Sequence, residues 1–283
     1  MTNLALGLTL LYGGLVGVVS GLVGVGGGIV MVPLLYLWFA HPEWSGVSFP
    51  GQHHAVVAHA TSLFVIVPTA VTGVLAYHRS KLVAWRIAFP MAATAILAAM
   101  LGVQMAVRLP PEALKAGFGA FLFASGLNLL FASRRDEVEG ERGSRGFAMA
   151  VGGGILVGFI TSLLGVGGGI VAIPLLIYLV RLEVKKVAAT SLGIVVFSAF
   201  SAAVTFAIAG WNHSELPAGS LGYIYLPAGL ALLPGSVLTA RFGVYLNKRM
   251  NPRALKVLFG AVFLLIGLRL FLGNIGGVLP NGA

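Results

Sequence analysis

One passage of this chain is written twice. Ser20-Gly-Leu-Val-Gly-Val-Gly-Gly-Gly-Ile-Val-Met-Val-Pro-Leu-Leu35 recurs as Ser162-Leu-Leu-Gly-Val-Gly-Gly-Gly-Ile-Val-Ala-Ile-Pro-Leu-Leu176. Two further pairs follow in the same order, Ala60-Thr-Ser-Leu63 with Ala189-Thr-Ser-Leu192 and Pro111-Glu-Ala-Leu-Lys115 with Pro252-Arg-Ala-Leu-Lys256. Ordered matches of this kind mean two related halves, and they constrain the architecture more than any single motif does. They divide the chain into a first repeat, 1–132, a charged linker, 133–146, and a second repeat, 147–283.

The solvent of both halves follows from composition. Of 283 residues, 58% are apolar and 9% charged, where a soluble domain carries about a quarter charged residues. Apolar runs at Ala55 to Tyr77, Ile87 to Val107, Val187 to Ala209 and Leu255 to Leu272 reach the roughly 20 residues that a membrane-crossing helix requires. The fold class is therefore an all-α polytopic membrane protein, with eight to ten transmembrane or re-entrant segments. No Lys or Arg precedes Arg79, so the first apolar segment is expected to stay in the mature chain rather than act as a signal peptide. Without cysteine there are no disulfides and no thiolate metal site.

The net charge of +10 does not point to nucleic acid, because the basic residues are scattered over short loops, where they set membrane orientation. Arg79, Lys81 and Arg86 form one group. Arg134, Arg135, Arg142 and Arg145 form another, Arg181, Lys185 and Lys186 a third, and Lys248, Arg249, Arg253 and Lys256 a fourth; together they are 14 of the 18 basic residues. Placing all four groups in the cytoplasm puts the linker inside and both termini outside, in a bacterial inner membrane. The halves then have inverted topology, a plan suited to a secondary transporter with its site near the midplane.

Each half opens with a hydrophobic pair interrupted by three consecutive glycines. A glycine costs about 1 kcal/mol against alanine inside a helix, and Val32 and Ile173 precede prolines, which disfavours helical backbone there. The expected irregular stretches are Gly24 to Val32 and Gly165 to Ile173, with helices restarting at Pro33 and Pro174. Close packing alone would explain glycines at four-residue spacing, but not three in a row followed by a proline. Bare backbone at membrane depth survives only when buried in protein or lining a wet cavity, so the two stretches should face each other. The helix starts beyond them offer free N–H groups and partial positive charge to an anion. Gly26, Gly27, Gly28, Gly167, Gly168 and Gly169 are the expected cradle. The run lacks the Lys-Ser/Thr ending of a phosphate loop.

The doubled Gly-Val-Gly-Gly-Gly-Ile-Val-x-(Val/Ile)-Pro-Leu-Leu, with Ala-Thr-Ser-Leu after it in each half, resembles the TauE/SafE sulfite exporter family, also called the toluene sulfonate uptake permease family. The resemblance covers essentially the whole chain. It implies a transporter, an exporter by the family's name, for sulfite, sulfonates or related anions. The first half departs from the family pattern in its histidines, Gln52-His-His54 and His59.

Polar side chains within apolar segments complete the candidate site. Thr61, Ser62, Thr190 and Ser191 either donate to oxyanion oxygens or bond back to their own helices. Aligning Phe89-Pro90 with Leu226-Pro227 sets Gln104 opposite Arg241, which either contacts the anion or snorkels to the surface. His59 is a candidate proton carrier or a buried neutral histidine. No acidic residue falls within an apolar segment, so a coupling ion, proton or sodium, would have to use His59, backbone, or the substrate itself. No cofactor, metal or enzymatic constellation is expected. The alternatives are an anion channel and a metal-ion transporter built on His53, His54 and His59. The partners are a small anion and the lipid bilayer; the oligomeric state stays open.

Overall fold

The computed structural model describes residues 3–40, 53–131, 143–211, 213, 215–249 and 252–275. The basic linker residues Arg134, Arg135 and Arg142 and the His41 to Gln52 loop lie outside them. The first half contributes α1 (Asn3–Val23), α2 (Gly28–Ala40), α3 (His54–His78), α4 (Trp85–Ala106) and α5 (Pro111–Phe131). The second contributes α6 (Gly143–Leu164), α7 (Gly169–Pro174) running into a wide π turn at Leu175–Leu179, α8 (Val184–Ala209), a two-stranded hairpin (β1, Ser220–Leu221; β2, Ile224–Tyr225), α9 (Leu226–Arg249) and α10 (Pro252–Ile275). Four of these helices, α3, α4, α8 and α9, are long and apolar enough to cross a membrane by length and composition.

The molecule is apolar outside and hydroxyl-rich inside, as a bilayer solvent requires. Leu11, Leu238 and Leu265 are more than two-thirds exposed, while Ser20, Thr61, Ser62, Thr161, Thr190, Ser191 and His59 are fully buried. Among the described residues no Asp, Glu, Lys or Arg is fully buried. Charge is thus kept at the ends and flanks of the bundle, where its desolvation is least costly.

Packing interlocks the two halves. α1 lies parallel to α9, with Gly13, Gly17 and Gly21 against the backbone of Leu232, Ser236 and Ala240. α6 lies parallel to α4 in the same manner, with Gly154 and Gly158 against Met91 and Ala95. A threonine crosses each seam, Thr239 Oγ1 donating to the Gly14 carbonyl at 2.7 Å and Thr94 Oγ1 to the Val151 carbonyl at 2.9 Å. Small residues let these backbones approach where lipid offers no competing hydrophobic drive. α5 and α10 pair through Gly119, Gly126, Gly260 and Gly267, and α3 and α8 form the centre.

The bundle has two distinguishable ends. At the hairpin end, Phe39 of α2 meets Tyr225 edge to face, and His53 stacks on His213. At the basic end, Lys248 Nζ donates to Ser80 Oγ, beside Arg79, Lys81 and Arg249. α1 therefore descends from the hairpin end and α2 returns to it, while α6 rises from the basic end and α7 with its π turn returns there. The two broken pairs thus start from opposite ends of the bundle.

Candidate functional site

The irregular stretches are shorter than the prolines suggested. They occupy only residues 24–27 and 165–168, and helix resumes at Gly28 and Gly169, well before Pro33 and Pro174. The expected break at Gly24 to Val32 and Gly165 to Ile173 is corrected accordingly. Gly27 and Gly168 carbonyls accept the first helical bonds, from Met31 N–H at 3.1 Å and Ala172 N–H at 2.9 Å. Helix is thus nucleated ahead of the proline, whose ring then falls in the second turn. In the second half the helix widens after Pro174, with Val180 N–H donating back to the Leu175 carbonyl at 2.9 Å. In the first half α2 continues to Ala40.

What the glycines do within the breaks is now visible. Gly24, Gly26 and Gly27 and their mates Gly165, Gly167 and Gly168 all have positive φ, 85° at Gly26 and 80° at Gly167, a region that L side chains adopt only with strain. Gly28 and Gly169 instead permit contact between the breaks. A Cβ on Gly28 would lie 2.6 Å from Val166 Cα, and one on Gly169 would overlap Val25 Cα. The two breaks therefore cross directly on one another.

The depth of the crossing follows from its neighbours. A Cβ on Gly26 would touch Ile66 and Val195, and one on Gly167 would touch Ile66 and the Val25 carbonyl. Ile66 is the thirteenth residue of the 25 in α3, and Val195 the twelfth of the 26 in α8. The crossing sits halfway along both central helices. The mirror relation extends outward, because Gly24 abuts Ala188 near the start of α8 and Gly165 abuts His59 near the start of α3. Gly27 lies over Val16 and Ser20, and Gly168 over Val157 and Thr161. The structural mate of Ser20 is thus Thr161, one residue from the Ser162 that direct comparison of the sequences selects.

The Thr-Ser pairs bond across the halves. Thr61 Oγ1 accepts the Tyr225 N–H at 3.0 Å, and Thr190 Oγ1 accepts the Ala84 N–H at 3.0 Å. Each N–H immediately precedes a fourth helix, α9 or α4, so the threonines cap helix starts in the opposite half. Because these oxygens accept, their hydroxyl protons are left to donate. Ser62 Oγ donates to the Gly165 carbonyl at 2.9 Å. Its mate, Ser191, is fully buried with no hydrogen-bond partner, as is Ser20.

Gln104 and Arg241 are not brought to the crossing. Both are exposed on the flanks of α4 and α9. The seams set a packing register in which Met91 corresponds to Leu232 and Ala95 to Ser236, so Gln104 corresponds to Tyr245 and Arg241 to Met100. The proline-based alignment fails because Pro90 and Pro227 are not mates: α4 and α9 keep the register of the breaks, which the prolines miss by about one helical turn.

The histidines go to separate partners. His53 lies 3.5 Å from Glu215 and stacks on His213, with ring centroids 5.7 Å apart. His59 is fully buried, with Nε2 hydrogen-bonded to the Tyr36 hydroxyl. Its Nδ1 lies beside the Leu163 carbonyl but outside hydrogen-bond geometry. Among the described residues no three His, Cys, Asp or Glu side chains gather as a metal site requires. The Tyr36–His59 contact was not anticipated from sequence, although a tyrosine in an apolar run needs a partner for its hydroxyl.

Comparison with known proteins agrees with this architecture. The family described as Sulfite exporter TauE/SafE matches residues 9–270. A "Probable membrane transporter protein" of Methanocaldococcus jannaschii is 25% identical over 274 residues, covering 95% of this chain and 96% of that protein. One of Haemophilus influenzae bearing the same description is 28% identical, covering 94% of this chain and 97% of that protein. No solved structure matches the chain.

Proposed function

The chain belongs to the sulfite exporter TauE/SafE family, and from that premise we propose a secondary-active carrier that exports a small sulfur-containing anion, sulfite or an organosulfonate, across a bacterial inner membrane by alternating access. The observation that carries the reading is the crossing of two mirrored helix breaks halfway along α3 and α8. A site at the pseudo-twofold axis of inverted repeats can be exposed to either face when one half rocks against the other. The breaks supply backbone N–H groups at the helix starts, and Thr61, Thr190 and Ser191 supply hydroxyl protons, so an oxyanion is held without a buried cation.

Membrane polarity follows from the basic end, where Arg79, Lys81, Arg181, Lys185, Lys186, Lys248 and Arg249 are placed in the cytoplasm. An inside-negative potential then drives a monoanion outward by about 2.3 kcal/mol per 100 mV. Export so driven requires no carboxylate relay, consistent with the lack of a fully buried acid among the described residues.

The test is transport by the purified chain in proteoliposomes preloaded with sulfite, sulfate, thiosulfate, sulfoacetate or an aryl sulfonate. Saturable efflux with counterflow of one sulfur anion, faster when the basic face is negative, is the expected result. Unitary currents without counterflow would make the protein a channel. Zinc transport with no sulfur-anion flux would move the function to the histidines.

A further inference from the structure

The doubled Pro-x-Ala-Leu-Lys element has no part in the crossing, yet in the first half it delivers a cation to the interior. Lys115, on the second turn of α5, is half-buried, with its ammonium 5.5 Å from the centre of the Tyr36 ring. Tyr36 is itself buried and bonded to His59, and Phe118 closes on both rings, with centroids 6.2 Å from Tyr36 and 6.3 Å from His59. His59 in turn abuts Gly165 of the second break. Lys115, Tyr36, His59 and Gly165 thus form a continuous run of contacts from the hairpin end of α5 to the crossing.

The charge on Lys115 is unanswered. Lys186, the other partly buried lysine among the described residues, is paired with Glu183 at 3.0 Å. Lys115 has no carboxylate within ion-pair distance among the described residues, and Glu112, three residues earlier on the same helix, acts on it only at longer range. An ammonium over an aromatic face is held by the ring, but that contact leaves its N–H donors free for an anion. The second half keeps the lysine as Lys256 but has Ile177 in the place of Tyr36 and Ala188 in the place of His59, so the polar wall exists on one side only.

We infer that Lys115 anchors a second oxyanion subsite on the hairpin side of the crossing, walled by Tyr36 and His59, where the transported anion is held between the break and the outer surface. The inference rests on the carrier reading above. It assigns the cationic contact to a residue outside the glycine cradle and makes the transport path chemically one-sided.

The test uses the full chain in detergent, with thermal stabilisation by sulfate, thiosulfate and methanesulfonate titrated at constant ionic strength. Lys115→Gln should weaken the apparent affinity about tenfold or more, while Lys115→Arg and the control Lys186→Gln stay near wild type. Where Lys115→Gln does not yield folded protein, the unmodified chain serves. A saturating oxyanion should then slow acylation of Lys115 by an amine-reactive ester several-fold relative to Lys186, read by mass spectrometry. Wild-type titration retained in Lys115→Gln, or equal protection of the two lysines, overturns the subsite and leaves the carrier standing. No oxyanion effect on the wild type at all overturns both.

Discussion

The two glycine breaks share a backbone but not a chemistry. Both turn through positive φ at equivalent glycines, both restart helix at the third consecutive glycine, and each presses on the other at mid-depth. The threonine caps match, but the environments differ at other polar positions nearby. Beyond the first break the chain places Tyr36 against His59, and the corresponding pair beyond the second is Ile177 and Ala188. Ser62 holds the second break by its carbonyl, while its mate Ser191 is buried and unpartnered. The repeat supplies a symmetric crossing, and the side chains around it give its two sides different polarity.

The first way to break the comparison is to fill the crossing. Gly28→Val and Gly169→Val both drive a Cβ into opposing backbone, and each should cost at least about 3 kcal/mol and prevent recovery of folded protein. A variant that purifies with an unchanged melting temperature would mean the breaks are not packed on one another. Next, His59→Ala makes the first half resemble the second. It empties volume beside Gly165 and strands the Tyr36 hydroxyl, so about 2–4 kcal/mol of stability should be lost. Addition of Tyr36→Phe should recover part of that loss in thermal melts, since the stranded hydroxyl is then gone.

The threonines sharpen the symmetry instead. Thr61→Val and Thr190→Val each remove the acceptor of one backbone N–H and should destabilise by about 1–2 kcal/mol, nearly equally. A large difference between them would show that the two caps are not mates. The serines should then split. Ser62→Ala loses a bond to the Gly165 carbonyl and should cost about 1 kcal/mol, whereas Ser191→Ala should leave stability unchanged within about 0.5 kcal/mol. If the free Ser191 hydroxyl serves the anion, its loss appears as a raised KM in proteoliposome flux. The smallest effect belongs to Arg241→Gln, which should alter neither melting temperature nor KM, because the side chain lies exposed on α9.

How much of this was legible in the sequence depended on the range of the interaction. The repeat, the spans and the opposed breaks follow from local composition and order, and they persist in the structure with ends shifted by a few residues. The break length does not follow, because a proline suits the first turn of a helix and Pro33 and Pro174 instead fall in the second. The carbonyls of Gly27 and Gly168 nucleate helix earlier, and a proline in the second turn is tolerated once helix is under way. The pairing of Gln104 with Arg241 failed for another reason. Pro90 and Pro227 sit at non-equivalent places in α4 and α9, which pack in the same register as the breaks, so aligning on them displaces the outer helices by about one turn. Tyr36 with His59 and Lys115 over the ring are contacts between helices far apart in sequence, and only the tertiary packing of α2, α3 and α5 brings them together.

The interlocked seams also set a timetable. α1 leaves the ribosome before the other described helices, but the surface that receives Gly13, Gly17 and Gly21 lies at Leu232, Ser236 and Ala240, far downstream in α9. At about 5–20 residues per second the first helix waits tens of seconds in the bilayer with its mating surface open. Neither half can complete its own packing, because α1 and α6 both find their partners in the other repeat. Co-expressed halves should therefore assemble where either alone is degraded, and the ancestor of such a chain is most simply two copies of one half inserted in opposite directions.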